Sequence, residues 1–222
     1  MNGMKTSLFQ TLAALPYFQQ HGLKMNYKKG QAIVRFEDTA QGIYYLDKGQ
    51  AYIYIIRDDG SEQIVAFFEE GTVFGKAGSL LPQLFTPLHC QAMNDCLVYR
   101  IPCEEFSSLL STNKEVLVSY MRQVSYNNIF FINHIIHLGE KNIYRRLIAT
   151  LLLLSNYYGE QIDDSSILRM SLTQEQLASL LCITRESLSK TLKIAKQKGI
   201  IVVDHGYIRI PKLSVLKKEI DK

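Results

Sequence analysis

Residues 173–198, TQEQLASLLCITRESLSKTLKIAKQK, admit few folds. Apolar residues recur at helical spacing in two blocks, Leu177-Ala178-Leu180-Leu181 and Leu188-Leu192-Ala195, and that spacing does not suit a strand. Thr173 followed three residues later by Gln176 is a capping-box pair, and Thr184 supplies a second N-cap just after Cys182-Ile183. Two short helices joined by a tight turn are therefore expected. Arg185, Glu186, Ser189, Lys190 and Lys193 fall on a second, polar and basic side of the later helix. An ordinary amphipathic pair with a solvated face would read the same way. The sharper expectation is a helix that enters the DNA major groove, which admits one helix and displays a readable donor and acceptor pattern.

The rest of the chain bears on that choice. Its 222 residues suffice for two domains, and 47% hydrophobic content supports packed cores. The net charge is only +4, but it is unevenly placed. Residues 140–222 hold 14 Lys+Arg against 9 Asp+Glu, whereas residues 1–139 hold 11 against 12. The positive excess sits with the helix pair, where a phosphate backbone requires it. No apolar run approaches the ~18 residues of a membrane span, and the N-terminus lacks the basic start and apolar core of a signal peptide, so a cytoplasmic protein is expected. Cys90, Cys96, Cys103 and Cys182 form no CxxC pair and read as free thiols.

In chain order, residues 5–20 suggest a helical lead-in ending near Pro16. From Asn26 to Ile101 the pattern turns to β-branched and aromatic runs: AIVRF, GIYYLD, AYIYIIR, QIVAFF and CLVYRI. Lys29-Gly30, Lys48-Gly49, Asp59-Gly60 and Glu70-Gly71 mark turns between them, and Asp59-Gly60 is a strong hairpin signal. An all-β sandwich or roll is expected. Cys103–Leu110 reads as a short helix after Pro102. A long helix, about Lys114 to Leu138, then carries Leu117, Met121, Val124, Asn128, Phe131, Ile135 and Leu138 in strict 4-3 alternation. That is a heptad seam suited to pairing two helices, with Asn128 placed to set register. Gly139 is a candidate C-cap, and Glu140–Asn142 a hinge. Tyr144–Tyr158 is a strongly apolar helix, and Gly159–Arg169 a loop with a strand at its end. After the helix pair, IIVVDHGYIRIP reads as a two-stranded hairpin turning at Asp204-His205-Gly206. A short helix from Leu213 to Lys222 ends the chain.

TRESLSKTLKIAKQKGII resembles the recognition helix of the catabolite activator/Fnr (Crp/Fnr) family of transcription regulators, whose pattern there is S/T-R-E-T/S-V/L-x-R/K. Arg185, Glu186, Ser189 and Lys190 match that family's base-contacting positions; Lys193 and the helix-start residues Thr173 and Thr184 complete the DNA-binding candidates. Two departures stand out: Cys182 replaces the usual turn glycine, and Lys190 an arginine, which loses the planar fork. KKGQAIV, YYLDKGQAYIY, DDGSEQIV and EEGTVFGKAGSLL resemble successive strands of a cyclic-nucleotide-binding β-roll, so the resemblance spans about residues 15–218. Nucleotide-binding members carry Glu after the last motif's glycine and a downstream Arg-Ser/Thr-Ala. Here Gly75 is followed by Lys76, and Thr86-Pro87-Leu88 occupies the triplet. Phe131-Ile132 takes the place of the ligand-facing Thr-Ser on the long helix. A cyclic phosphate would lack its charge-assisted partner, so binding of cAMP or cGMP is not expected. Gly75-Lys76 is similar to the family's halophenol-sensing branch, which takes an aromatic phenolate or carboxylate in this cavity. Lys76, Gly75, Phe85, Tyr99, Asn128 and Phe131 are the effector-site candidates.

Catalytic motifs are not found: there is no nucleophile elbow, Walker loop or HExxH, and Gly71-x-x-x-Gly75-Lys76 is an incomplete phosphate loop. An enzyme is not expected, nor a bound metal or other cofactor. His134 and His137 lie one turn apart, but metal sites use tighter sets. The expected architecture is α+β: an N-terminal cyclic-nucleotide-binding-like β-roll (1–112), a long dimerisation helix (113–139) and a C-terminal winged helix-turn-helix (140–222). The expected protein is a homodimer that binds palindromic double-stranded DNA under control of a small anionic or aromatic effector. RNA polymerase is a further partner, and no membrane is involved. A redox- or haem-responsive regulator of the same fold, with His89 or His134 on the haem, and a sensor acting through protein contacts stand as alternatives.

Overall fold

The computed structural model describes residues 13–36, 42–75 and 88–220. The chain forms two compact units, one ending at Asn127 and the other beginning at Asn128. The boundary falls inside the long helix α3 (Lys114–Leu138), which matches the expected span.

The first unit is the β-roll. It contains α1 (Leu15–His21), β1 (Leu23–Tyr27), β2 (Ala32–Val34), β3 (Ile43–Lys48), β4 (Ala51–Ile56), β5 (Glu62–Phe68), β6 (Val73–Gly75), β7 (His89–Ala92), β8 (Cys96–Ile101) and α2 (Cys103–Thr112), followed by the first half of α3. Two antiparallel four-stranded sheets form, in the orders β1-β8-β3-β6 and β2-β7-β4-β5. Ring contact between Phe68 and Phe74, centroids 5.2 Å apart, joins one to the other. Gly30, Gly49, Gly60 and Gly71 all adopt positive φ, so each predicted turn uses its glycine where a side chain would be strained. Pro16 begins α1 rather than ending a helix, because its fixed φ and missing N–H suit a first turn. β1 and β7 (LKMNY and HCQA) carry little alternation and were not anticipated; pairing with β8 and β4 makes them strands.

The helix-facing side of the first sheet carries Ile43, Tyr45, Val73, Tyr99 and Ile101. They pack with Phe18 of α1, Phe106 and Leu109 of α2 and Val116 of α3. Gln123 of α3, 5% exposed, acts as a substitute strand at the sheet edge. Its carboxamide accepts from Val73 N at 2.9 Å and donates to Val73 O at 2.7 Å. Both ladder groups of an edge residue are thereby satisfied.

The second unit contains the rest of α3, then α4 (Ile143–Tyr158), β9 (Gly159–Ile162), β10 (Ser165–Leu168), α5 (Gln174–Leu180), α6 (Arg185–Gln197), β11 (Val202–Asp204), β12 (Tyr207–Ile210) and α7 (Leu213–Ile220). Its core is α4, whose Leu147, Ile148, Leu151 and Leu154 are fully buried. A sheet in the order β11-β12-β10-β9 flanks the helices. β9 was expected as loop; a turn through Asp163, at φ +52°, folds it back on β10. Residues 139–142 separate α3 from α4, where the hinge was expected, and the Asn142 side chain caps α4 by accepting from Tyr144 N and Arg145 N. Gly139 ends α3 without a left-handed conformation; its N–H is shared between the Ile135 and Ile136 carbonyls.

Candidate nucleic-acid interface and sensor roll

The helix pair forms as its sequence dictates. Gln176 N donates to Thr173 Oγ1 at 3.1 Å, and Thr173 N donates back to Gln176 Oε1 at 3.0 Å, completing the capping box. α5 ends at Leu181, and Cys182 turns the chain at φ +54°, in the region that favours glycine. Thr184 Oγ1 then accepts from Ser187 N at 3.2 Å to start α6. Leu188, Leu192 and Ala195 are buried, with Thr191 donating to Ser187 O at 2.7 Å. Arg185, Glu186, Ser189, Lys190 and Lys193 are all exposed on the opposite side. Glu186 and Lys190 pair with each other at 2.9 Å. An exposed i,i+4 pair is worth only ~0.3–0.5 kcal/mol, so both side chains can be turned to other partners at little cost.

Arg146 of α4, unremarked in the sequence, holds this turn in place. Its Nη1 donates to Leu181 O at 3.0 Å, while Nε and Nη2 donate to the hinge carbonyl of Glu140 at 2.9 and 2.8 Å. Nothing in the spacing of an arginine near a helix start marks such a role. The β11–β12 hairpin turns through His205 and Gly206, both at positive φ, as two-residue hairpins prefer. Gly206 O accepts from Leu172 N at 3.0 Å, which fixes the hairpin tip beside the start of α5. His205 is exposed, its Nδ1 2.6 Å from Asp204 Oδ1, and Arg209 is exposed on β12.

In the roll, strand alternation sorts the side chains into two faces. Tyr44 and Phe74 stack with centroids 5.4 Å apart and meet Phe68, forming an aromatic group between the sheets. Ile53 and Ala66 are buried and paired in register beside it. Arg100 lies opposite Tyr44 in register, half-buried at the strand end. Tyr99 does not belong to this group. It shares a face with Tyr45 and Ile101 and packs on the helices, because residues one apart on a strand point to opposite sides. Tyr99 therefore lies apart from the Tyr44-Phe74-Phe68 group. Gly75 is paired with Ile43 at the sheet edge, where a Cβ would lie 2.8 Å from Gly42 O. Lys76, Phe85, Thr86 and Pro87 lie outside the described residues. Asn128 is exposed and Phe131 half-buried on α3, in the unit beyond the boundary.

Two segments of the chain match known domain families. Residues 24–113 match the cyclic nucleotide-binding domain, and residues 145–219 match the Crp-like helix-turn-helix domain. The chain belongs to the Crp/Fnr family of DNA-binding transcription regulators. Relatives of this Crp/Fnr protein include the cAMP-activated global transcriptional regulator CRP of Pasteurella multocida, 22% identical over 86% of this chain and 91% of that one. Among solved structures, a CooA mutant from Carboxydothermus hydrogenoformans superposes with a TM-score of 0.79, at 18% identity over 94% of this chain and 95% of that one. CprK complexed with OCPA does so at 0.71, with 17% identity over 95% and 94%.

The remaining features of this Crp/Fnr chain concern α3 and the titratable groups. Of the predicted seam, Leu117, Met121, Asn128 and Ile135 are exposed, Ile135 to 67%, and Val124, Phe131 and Leu138 are half-buried, so the seam lies at the surface of the chain. His89 is buried against Tyr54, centroids 5.1 Å apart, and its Nδ1 accepts from Phe36 N. His134 is 3% exposed and stacked on Phe130, and neither of its ring nitrogens has a hydrogen-bond partner among the described residues. Burial, with a smaller effect from neighbouring His137, pushes its pKa down to about 4. Burial holds the Cys90 thiol well above its ordinary value, which disfavours the reactive thiolate. Among the described residues, no group of three or more His, Cys, Asp or Glu is placed to hold a metal ion, and no helix is long and apolar enough to cross a membrane.

Proposed function

We propose that this Crp/Fnr regulator works as a homodimer that reads a palindromic site and is switched by a small effector other than cAMP. The observation that carries the reading is the exposed face of α6. Arg185, Glu186, Ser189, Lys190 and Lys193 point away from a fully packed Leu188–Ala195 side. Arg185 and Lys190 donate to guanine acceptors, Glu186 accepts from a cytosine amine, and Ser189 adds a weaker contact. The open apolar seam of α3 pairs two copies, which sets two recognition helices ~34 Å apart along DNA. Thr173 and Thr184, already engaged as caps, place helix N-termini toward phosphate.

The effector is a flat aromatic molecule, with an acidic substituent. The Tyr44-Phe74-Phe68 group supports a ring by stacking, and Arg100 at the end of the same sheet face offers a cation. The absence of the family's Glu and Arg-Ser-Ala triplet, together with the likeness to CprK, supports this over a cyclic nucleotide. The effector acts by preferring one arrangement of α3 about the Glu140–Asn142 hinge. Selection from a random duplex pool tests the reading function. A two-fold symmetric consensus is expected; an unselected pool, or salt-independent binding, overturns it. Thermal-shift titration tests the effector: chlorinated phenylacetic acids stabilise the protein and cAMP does not, and the reverse result overturns the assignment. Native mass spectrometry of the purified protein gives the dimer mass and any molecule carried with it.

A further inference from the structure

We propose that Glu219 is a positioning residue for base reading, acting through Lys198 and Tyr144 to set the tilt of the recognition helix. The inference rests on the DNA-reading function above. Glu219 lies in the last turn of α7 and is only 7% exposed. Its Oε2 is 3.0 Å from Lys198 Nζ, at the end of α6, and accepts from Tyr144 OH, in the first turn of α4, at 2.9 Å. Lys198 Nζ also lies over the Tyr144 ring, 4.4 Å from its centroid. One carboxylate oxygen therefore joins three helices. α7 is itself seated by the buried Leu213 and Leu216, and Arg145 Nη2 donates to Ile220 O at 3.1 Å. Arg145 Nε in turn lies 3.4 Å from Glu140 Oε2 at the hinge.

A buried carboxylate is retained at a cost unless it is paired and hydrogen-bonded. Apolar contact alone would hold α7 to α4. What the Glu219 pair adds is direction: it fixes the far end of α6, opposite the Thr184 cap. α6 is 13 residues long, so it is a lever of roughly 20 Å. A tilt of about 5° about the packed middle of the helix at Leu192 displaces Arg185 by about 0.9 Å, while a hydrogen bond tolerates only a few tenths of an ångström. Loss of the pair therefore harms base contacts, which need that geometry, more than contacts to the phosphate backbone, which depend on charge. Glu219 also neutralises Lys198. Freed from it, Lys198 becomes one more cation at the end of a basic helix and favours indiscriminate binding.

The test compares wild type, Glu219→Gln, Lys198→Gln and the double variant as full chains. Each is titrated with a duplex selected by the wild type and with a scrambled duplex of equal length, and thermal unfolding monitors folding. Glu219→Gln is expected to lower the ratio of selected to scrambled affinity about tenfold, the scale of one lost base contact, with scrambled-duplex affinity unchanged or higher. The double variant is expected to be no worse than the worse single one, because both act on one contact. A folded Glu219→Gln protein with a ratio within twofold of wild type overturns the proposal, as do additive losses in the double variant. If Glu219→Gln does not fold, Lys198→Gln decides on the same ratio. A wild type that selects no sequence refutes the DNA-reading function itself, before any variant is compared.

Discussion

Lowering the pH from 7.5 to 4.5 is expected to destabilise the C-terminal unit chiefly through His134. This ring is buried on α3 beside Phe130, with both nitrogens unpartnered among the described residues, and its pKa is pushed down to about 4 from the ordinary 6.5. A protonated imidazole there would be desolvated against the Phe130 ring. The unfolded chain takes up the proton near pH 6.5 and the folded chain only near 4, so acid favours unfolding. His134 therefore costs no stability above about pH 6.5, and stability is lost progressively as pH falls from there to about 4. The pKa gap corresponds to about 3 kcal/mol at 1.36 kcal/mol per unit, an upper bound because water can enter before the unit unfolds. His137, also lowered by burial, adds to the slope in the same direction. The assay is urea unfolding followed by near-ultraviolet tyrosine dichroism, since the chain has 13 Tyr and no Trp. His134→Leu keeps an apolar contact with Phe130 and removes the proton site. It should lose less stability than wild type between pH 7.5 and 4.5, by about 2–3 kcal/mol at most. An equal pH dependence in the two proteins would refute the reasoning and place the acid sensitivity elsewhere.

Other expectations follow from single residues. Ile135→Glu puts a charge into the open seam of α3 without disturbing the chain's own core; sedimentation velocity should show dimer affinity weakened on the order of 100-fold or more, and unchanged dimer mass would exclude the seam as the interface. Cys182→Gly relieves a non-glycine left-handed residue at φ +54° and should stabilise the protein by about 0.5–1 kcal/mol; a lower unfolding temperature would contradict this. Arg185→Ala should cost about 1–3 kcal/mol on the selected duplex and relax preference at one base pair. An unchanged preference in a repeated selection would remove Arg185 from the reading set.

Much of the fold was legible because local rules and tertiary packing agree. α3 spans the predicted residues, since its apolar 4-3 spacing is carried by 25 consecutive helix-compatible residues. The Thr173–Gln176 capping box, the Thr184 cap, the Asp59-Gly60 hairpin and the His205-Gly206 turn are short-range devices, and each lies where its residues are found. β1, β7 and β9 were missed because their strand character comes from partners distant in sequence. The placing of Tyr99 on the helix-packed face was hidden for a related reason: an aromatic on a strand is visible, but which of two faces it takes depends on register. The Gln123–Val73 pair, fifty residues apart, and the Arg146 link from hinge to turn are invisible to periodicity altogether.

The amino-acid order determined the helices, the turns between the aromatic strand runs and the basic edge of α6. These depend on spacing along one helix or strand and on which side chains exist at all. The tertiary structure decided which polar groups meet: Glu219 with Lys198 and Tyr144, Gln123 with Val73, and His134 packed on the Phe130 ring. Such meetings depend on how helices and sheets pack at ångström distances, and a chain's order does not reveal that geometry until the core has closed.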